Sequence, residues 1–232
     1  MCLGKNTNLE ALNLFNLLTH KYSFFKLRQS ETQNLKIDLG QDYLLGSKLS
    51  ESRLMASDTC LLIGVNPRYE GSKLNLELRS RYLKGNFNII NVGSLFNLTF
   101  SNTNITSNTK ILKSLIEGNN LFCQEFVNSS NPVLISSTEV FKRKDSFGLI
   151  DMLKSLTKHI NLFSQFDTSN QLNVLSLTLN DVGFANFNRV EPLKKKDLTH
   201  STGIYFVNDS VSNSNLKKLL NLKLLNFFQN NI

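Results

Sequence analysis

Cys60-Leu61-Leu62-Ile63-Gly64-Val65-Asn66-Pro67-Arg68-Tyr69-Glu70 decides how this chain is read, with Asn75 and Arg79 close behind it. Apolar residues run straight into a Gly-x-Asn-Pro turn, and a charged, helically periodic segment follows. A short continuous apolar run ended by Gly and Pro is the pattern of a buried strand and its turn. The stretch is therefore a strand over 60–65, a sharp loop at its carboxyl end, and a helix over 71–84. In an open α/β sheet, that junction is where ligands bind.

The same pattern repeats outward. Residues 87–92 alternate and end at Gly93, which predicts a second strand; 133–136, after Pro132, predict a third. Helical spacing is found over 7–19, with a Thr7/Glu10 capping box and a stripe of Leu9, Leu12, Phe15 and Leu18. It recurs over 109–118 and 146–160, the latter with Phe147, Ile150, Leu153, Leu156 and Ile160 inward. Another helix is expected over 171–182, and strands over 203–207 and 222–228. Segments 99–108 and 207–215 read as polar, exposed loops. Strands alternating with helices imply βαβ units and a mainly parallel sheet, an α/β fold.

The 232 residues suffice for one large domain or two small ones, and no repeat or linker divides them. Asn occurs 31 times against 3 Ala, and Lys outnumbers Arg 19 to 7. Residues with A/T-rich codons are in excess, which is the mark of an A/T-rich genome such as organelles carry. The Asn are scattered among Leu and Phe, unlike a prion-like tract. The net charge of +8 would suit nucleic acid, but Lys142-Arg143-Lys144 and Lys194-Lys195-Lys196 are short runs expected in solvated loops. No RNA-binding or zinc-finger pattern accompanies them. No apolar run has the length of a membrane span, and the start is neither a signal nor a transit peptide.

Cys2, Cys60 and Cys123 lie far apart with no C-x-x-C, which argues for a reducing compartment and against an iron–sulfur cluster or structural zinc on this chain. Cys60, opening an apolar strand, reads as a small core hydrophobe. His20, His159 and His200 are isolated, the first two at helix ends. No metal spacing and no nucleophile elbow occurs, so no catalytic residue and no metal ligand is assigned.

Gly64, Asn66, Pro67, Arg68, Tyr69, Glu70, Asn75, Leu78 and Arg79 stand where the large iron–sulfur subunit of respiratory NADH:ubiquinone oxidoreductase (complex I) has G-x-N-P-R-[FY]-E and then N-x-x-I/L-R. The chain resembles the C-terminal, molybdopterin-enzyme-like region of that subunit. Further segments resemble it in order: Asp42-Tyr43-Leu44-Leu45, Val92-Gly93 with Asn97-Leu98-Thr99, Lys110-Ile111-Leu112, residues 133–137, and Asn173-Val174-Leu175 with Val182-Gly183. Asn97 replaces an Asp of the family, and a family Gly has no counterpart near Ile105. The family also has a strand before the position of Gly4, which is expected to be missing here.

The resemblance implies a Rossmann-like fold related to molybdopterin oxidoreductase domains. It implies that residues 1–232 form a single partial α/β domain from the C-terminal part of a larger, split, organelle-encoded subunit whose Fe–S domain lies elsewhere. It implies no cofactor on this chain, with FMN and Fe–S clusters on partner chains. The partners would be the Fe–S-carrying part of the subunit and other matrix-arm subunits, with no nucleic acid and no membrane span of its own. The place would be the mitochondrion, on the matrix side of the inner membrane. In molybdopterin enzymes, similar strand-end loops hold the nucleotide part of the cofactor, where Gly lets backbone approach phosphate. Gly64, Asn66, Pro67, Arg68 and Glu70 are accordingly read as a vestigial version of that loop, with Pro67 fixing φ and Arg68 and Glu70 tying it down. The alternatives from other classes are a shortened molybdopterin-dependent oxidoreductase domain and a basic organellar RNA-binding or ribosomal protein.

Overall fold

A computed structural model describes residues 2–4, 7–29, 49–163, 172–177, 191–192 and 206–207. The chain divides into two compact units, residues 1–35 with 178–232, and residues 36–177.

In the first unit, strand β1 (Cys2–Leu3) lies between β2 (Arg28–Gln29) and β9 (Phe206–Val207), and β8 (Glu191–Pro192) pairs with β2. All pairings are parallel. The expectation that no strand precedes Gly4 is thus corrected: Cys2–Leu3 form one, with Leu3 fully buried. Helix α1 (Leu9–Lys21) starts two residues later than its periodicity predicts. The capping box does not form. Asn8 holds the cap position in extended conformation, and the Thr7 hydroxyl donates back to the Gly4 carbonyl at 2.7 Å. Of the predicted stripe, Leu12 is fully buried, whereas Leu9 is exposed.

The second unit is built on strands β3 (Thr59–Ile63), β4 (Asn88–Val92), β5 (Thr103–Asn104), β6 (Pro132–Ser137) and β7 (Leu172–Leu175), all parallel, in the order β5-β4-β3-β6-β7. The expected α/β architecture with a parallel sheet and flanking helices is the one observed. Every residue of β3 and of β6 is buried, as a strand covered on both faces requires. One face carries Cys60, Leu62, Ile89, Val133 and Ile135. It packs on Leu54 of α2 (Glu51–Ala56) and on Leu78 of α4 (Ser72–Leu83), with Phe87, Leu98 and Phe100 closing the rim. Each such fully buried Leu or Ile contributes about 1.5–3 kcal/mol.

Between β3 and α4 lies the single turn α3 (Pro67–Glu70). The remaining helices are α5 (Lys110–Ile116), α6 (Cys123–Val127), α7 (Thr138–Lys142) and α8 (Ser146–Phe163), and α8 packs on α5 and α7.

Four sequence readings need correction here. The pattern of residues 171–182 predicts a helix, but Leu172–Leu175 form strand β7 beside β6, with Leu172 and Asn173 buried. The spacing of Leu172 and Leu175 fits a helix, yet a ladder to β6 was available, and tertiary pairing overrides so short a pattern. Phe147, expected inward, is exposed. The buried stripe of α8 runs through Leu149, Ile150, Leu153 and Leu156, and Phe147 stands on its flank. Segment 99–108 is not wholly a polar loop: Phe100 is buried, and Thr103–Asn104 add an edge strand to β4. Finally, Lys142 is no solvated loop residue. It ends α7, is buried, and donates to Glu139 Oε1 at 2.9 Å. The expectations for 42–45, 182–183, Lys194–Lys196, His200, 208–215 and 222–228 lie outside the described residues.

Candidate functional site

Strand order locates the site. From β3 the chain moves to β4 and β5 on one side, then returns to place β6 and β7 on the other. Right-handed crossovers running in opposite directions put their helices on opposite faces. The loops after β3 and β6 therefore part at the carboxyl edge, the topological switch point of the sheet.

The loop after β3 is the stretch singled out in the sequence. Gly64 has φ +60°, and its N–H donates to the Val92 carbonyl at 2.9 Å. That left-handed backbone is strained for any residue with a Cβ. Pro67 occupies the first position of α3, where a missing N–H costs nothing. Glu70 Oε2 accepts the Asn66 N–H at 3.1 Å, and the Asn66 carbonyl accepts from Tyr69 and Glu70, so Asn66 and Glu70 close the loop reciprocally. Arg68 Nη1 donates to the Asn97 carbonyl at 2.9 Å, fastening the loop to the segment after β4. The position where the family Asp is replaced thus serves through its backbone. Tyr69 beside Arg68 is 80% exposed, so the aromatic of the motif adds nothing to the core.

Other residues of this edge were not singled out by sequence. A Cβ on Gly64 would lie 2.7 Å from Val140 Cγ2 of α7. Gly93, just past the end of β4, also comes close: its Cβ would sit 3.5 Å from Gly64 Cα and 4.0 Å from Asn91 Oδ1. Asn91 Nδ2 donates to the Ser94 carbonyl and to Asn104 Oδ1, which fixes the amide's orientation. Asn66 Oδ1, Asn91 Oδ1 and Ser136 Oγ are buried without a hydrogen-bond partner. The pairing register sets Ser136 beside Ile63, one residue from Gly64. Only Gly93 carried a sequence signal, as the end of a predicted strand.

Burial pushes the Cys60 thiol up to about 12, which keeps it protonated and unreactive. Cys123 is partly exposed, and its thiol faces the Leu115 carbonyl. His20 lies in the last turn of α1, whereas His159, expected at a helix end, lies inside α8, which continues to Phe163. Among the described residues, no group of three His, Cys, Asp or Glu side chains is gathered that could hold a metal, and no helix is long and apolar enough to cross a membrane.

A parallel sheet with a glycine-asparagine-proline loop at its switch point defines an α/β protein, and the chain belongs to the molybdopterin oxidoreductase family, which matches over residues 2–231. Individual relatives are more particular. The chain is 32% identical over 195 residues to the NADH-ubiquinone oxidoreductase 75 kDa subunit of Reclinomonas americana, covering 78% of this chain and 28% of the relative. It is 30% identical over 128 residues to the mitochondrial NADH-ubiquinone oxidoreductase 78 kDa subunit of Candida albicans, covering 55% and 17%. It is 27% identical over 129 residues to an NADH-quinone oxidoreductase subunit of Rickettsia bellii, covering 55% and 19%. The chain spans less than a third of the length of each of these relatives.

Proposed function

We propose that this chain is a non-catalytic, structural portion of the large iron–sulfur subunit of respiratory complex I, corresponding to its molybdopterin-enzyme-like region. It acts in the mitochondrion, on the matrix side of the inner membrane. Its partners are the Fe–S-carrying part of that subunit and other matrix-arm subunits, and FMN and the Fe–S clusters belong to those parts. The observation that carries this reading is the likeness to a 75 kDa subunit of NADH-ubiquinone oxidoreductase over 78% of the chain. The loop geometry agrees with it, because the charged side chains of the loop are engaged within the protein: Glu70 with the Asn66 N–H and Arg68 with the Asn97 carbonyl. The work of such a chain is burial and shape complementarity.

The test is co-migration. The tagged chain, extracted in mild detergent and run on a native gel, is expected to travel with NADH dehydrogenase activity. Migration apart from that band would overturn the assignment. Membership of the molybdopterin oxidoreductase family favours one second reading, a shortened redox enzyme. Elemental analysis of the purified chain separates the two: no stoichiometric molybdenum, iron or zinc is expected, and stoichiometric molybdenum would put the enzyme first.

A further inference from the structure

We infer that Val140 fills the switch-point crevice from within the chain, so that the Gly64–Pro67 loop closes on the protein's own side chain instead of a bound phosphate ester. The inference concerns packing inside one unit and stands whichever assembly the chain joins.

Glycine at such a loop has two physical explanations. Either bare backbone makes room for a ligand, or it makes room for a neighbouring side chain. Here the space is assigned. Val140 Cγ2 lies 2.7 Å from where a Cβ of Gly64 would be, closer than real Cβ contacts allow. The second glycine presses in from the other side, its own Cβ position 3.5 Å from Gly64 Cα. Val140 can reach Gly64 because α7 begins directly at the end of β6, the strand paired with β3. An apolar methyl group therefore occupies the space beside Gly64. Asn66 Oδ1, Asn91 Oδ1 and Ser136 Oγ, at the same carboxyl edge of the sheet, remain buried and without a protein partner. The pterin nucleotide implied by the family name does not fit at this loop, and no chemical step is assigned to it.

The full 232-residue chain, isolated with whatever it binds, serves for the test. Cys60 on β3 is fully buried, so its alkylation by N-ethylmaleimide, read on the Cys60 peptide by mass spectrometry, reports opening of the strand next to Gly64. Gly64→Ala should raise that rate strongly in the native background. In a Val140→Ala background the same change should raise it about tenfold less, since neighbours in contact couple. An equal factor in both backgrounds overturns the inference. A second measurement needs no variant: millimolar inorganic pyrophosphate should leave the wild-type rate unchanged. Slowing by about twofold or more would mean that an anion occupies an open crevice, and would overturn the inference as well.

Discussion

The two ends of β3 are finished in opposite ways. At the amino end, polar groups are tied to one another, with Asn131 Oδ1 the exception. The Asp58 carboxylate accepts from the Ser129 hydroxyl at 2.5 Å, the Ser130 N–H at 2.6 Å and the Asn131 N–H at 3.0 Å. The Asp58 carbonyl accepts from the Asn88 N–H, while the Asp58 N–H donates to the Asn131 carbonyl. Arg81 donates to the carbonyls of Ser57, Gly85 and Asn86, with its guanidinium 5.0 Å from the Phe87 ring centre. One carboxylate and one guanidinium thereby fasten β3, β4 and β6 together. At the carboxyl end the sheet is closed by glycines and a valine methyl, and three buried polar atoms have no partner. In α/β sheets the first edge is concerned with stability and the second with ligands. This chain retains the division of polarity but packs its ligand edge like a core.

The comparison can be broken most severely at Gly64. Gly64→Val combines a β-branched residue at φ +60° with a clash against Val140 and should cost about 4 kcal/mol or more, seen as loss of the folded chain in denaturant titration. His20→Ala and His159→Ala, both at exposed positions, should stay within about 0.5 kcal/mol. An equal loss from either would contradict the structural role of the loop.

Between the two ends lies the Cys60 thiol, raised from 9.0 to about 12 by desolvation. A proton held more tightly when folded gives stability that is complete below pH 9 and is lost as pH rises toward 12. Cys60→Ala should remove that part of the alkaline decline, as read from the difference between the two unfolding curves. An identical decline would show that the thiol is not desolvated.

The contrast is sharpened by removing polar groups at each end. Asp58→Ala strands three donors at the amino end and should cost about 2 kcal/mol by chemical unfolding. Ser136→Ala removes a buried hydroxyl that has no partner and should be neutral, or stabilising by up to about 1 kcal/mol. A large loss from Ser136→Ala would mean that its hydroxyl is hydrogen-bonded after all, and the two edges would then be alike.

Much of this was legible in the residues. The uninterrupted apolar run to Ile63, broken by Gly64 and Pro67, could only be a buried strand meeting a loop, and it is one. The strands at Asn88–Val92 and Pro132–Ser137 were readable for the same reason, as were the helices Ser72–Leu83 and Lys110–Ile116. Arg68 and Glu70 could be assigned to fastening the loop because local charge beside a turn has few other partners. The motif also pointed to the family, and the family match over residues 2–231 agrees.

What sequence could not supply is what meets across space. Whether Leu172–Leu175 pairs as a strand depends on β6 lying beside it, not on its own spacing. Whether Phe147 is buried depends on where α8 meets its neighbours, and Lys142 is buried because it ends a helix that packs on α8. The occupant of the space at Gly64 is a side chain far along the chain, on the other side of a crossover. Periodicity and turn chemistry are local, so a single sequence determines them. Strand order and the filling of a crevice are long-range, and only the folded arrangement decides that a glycine which could have faced a phosphate faces Val140.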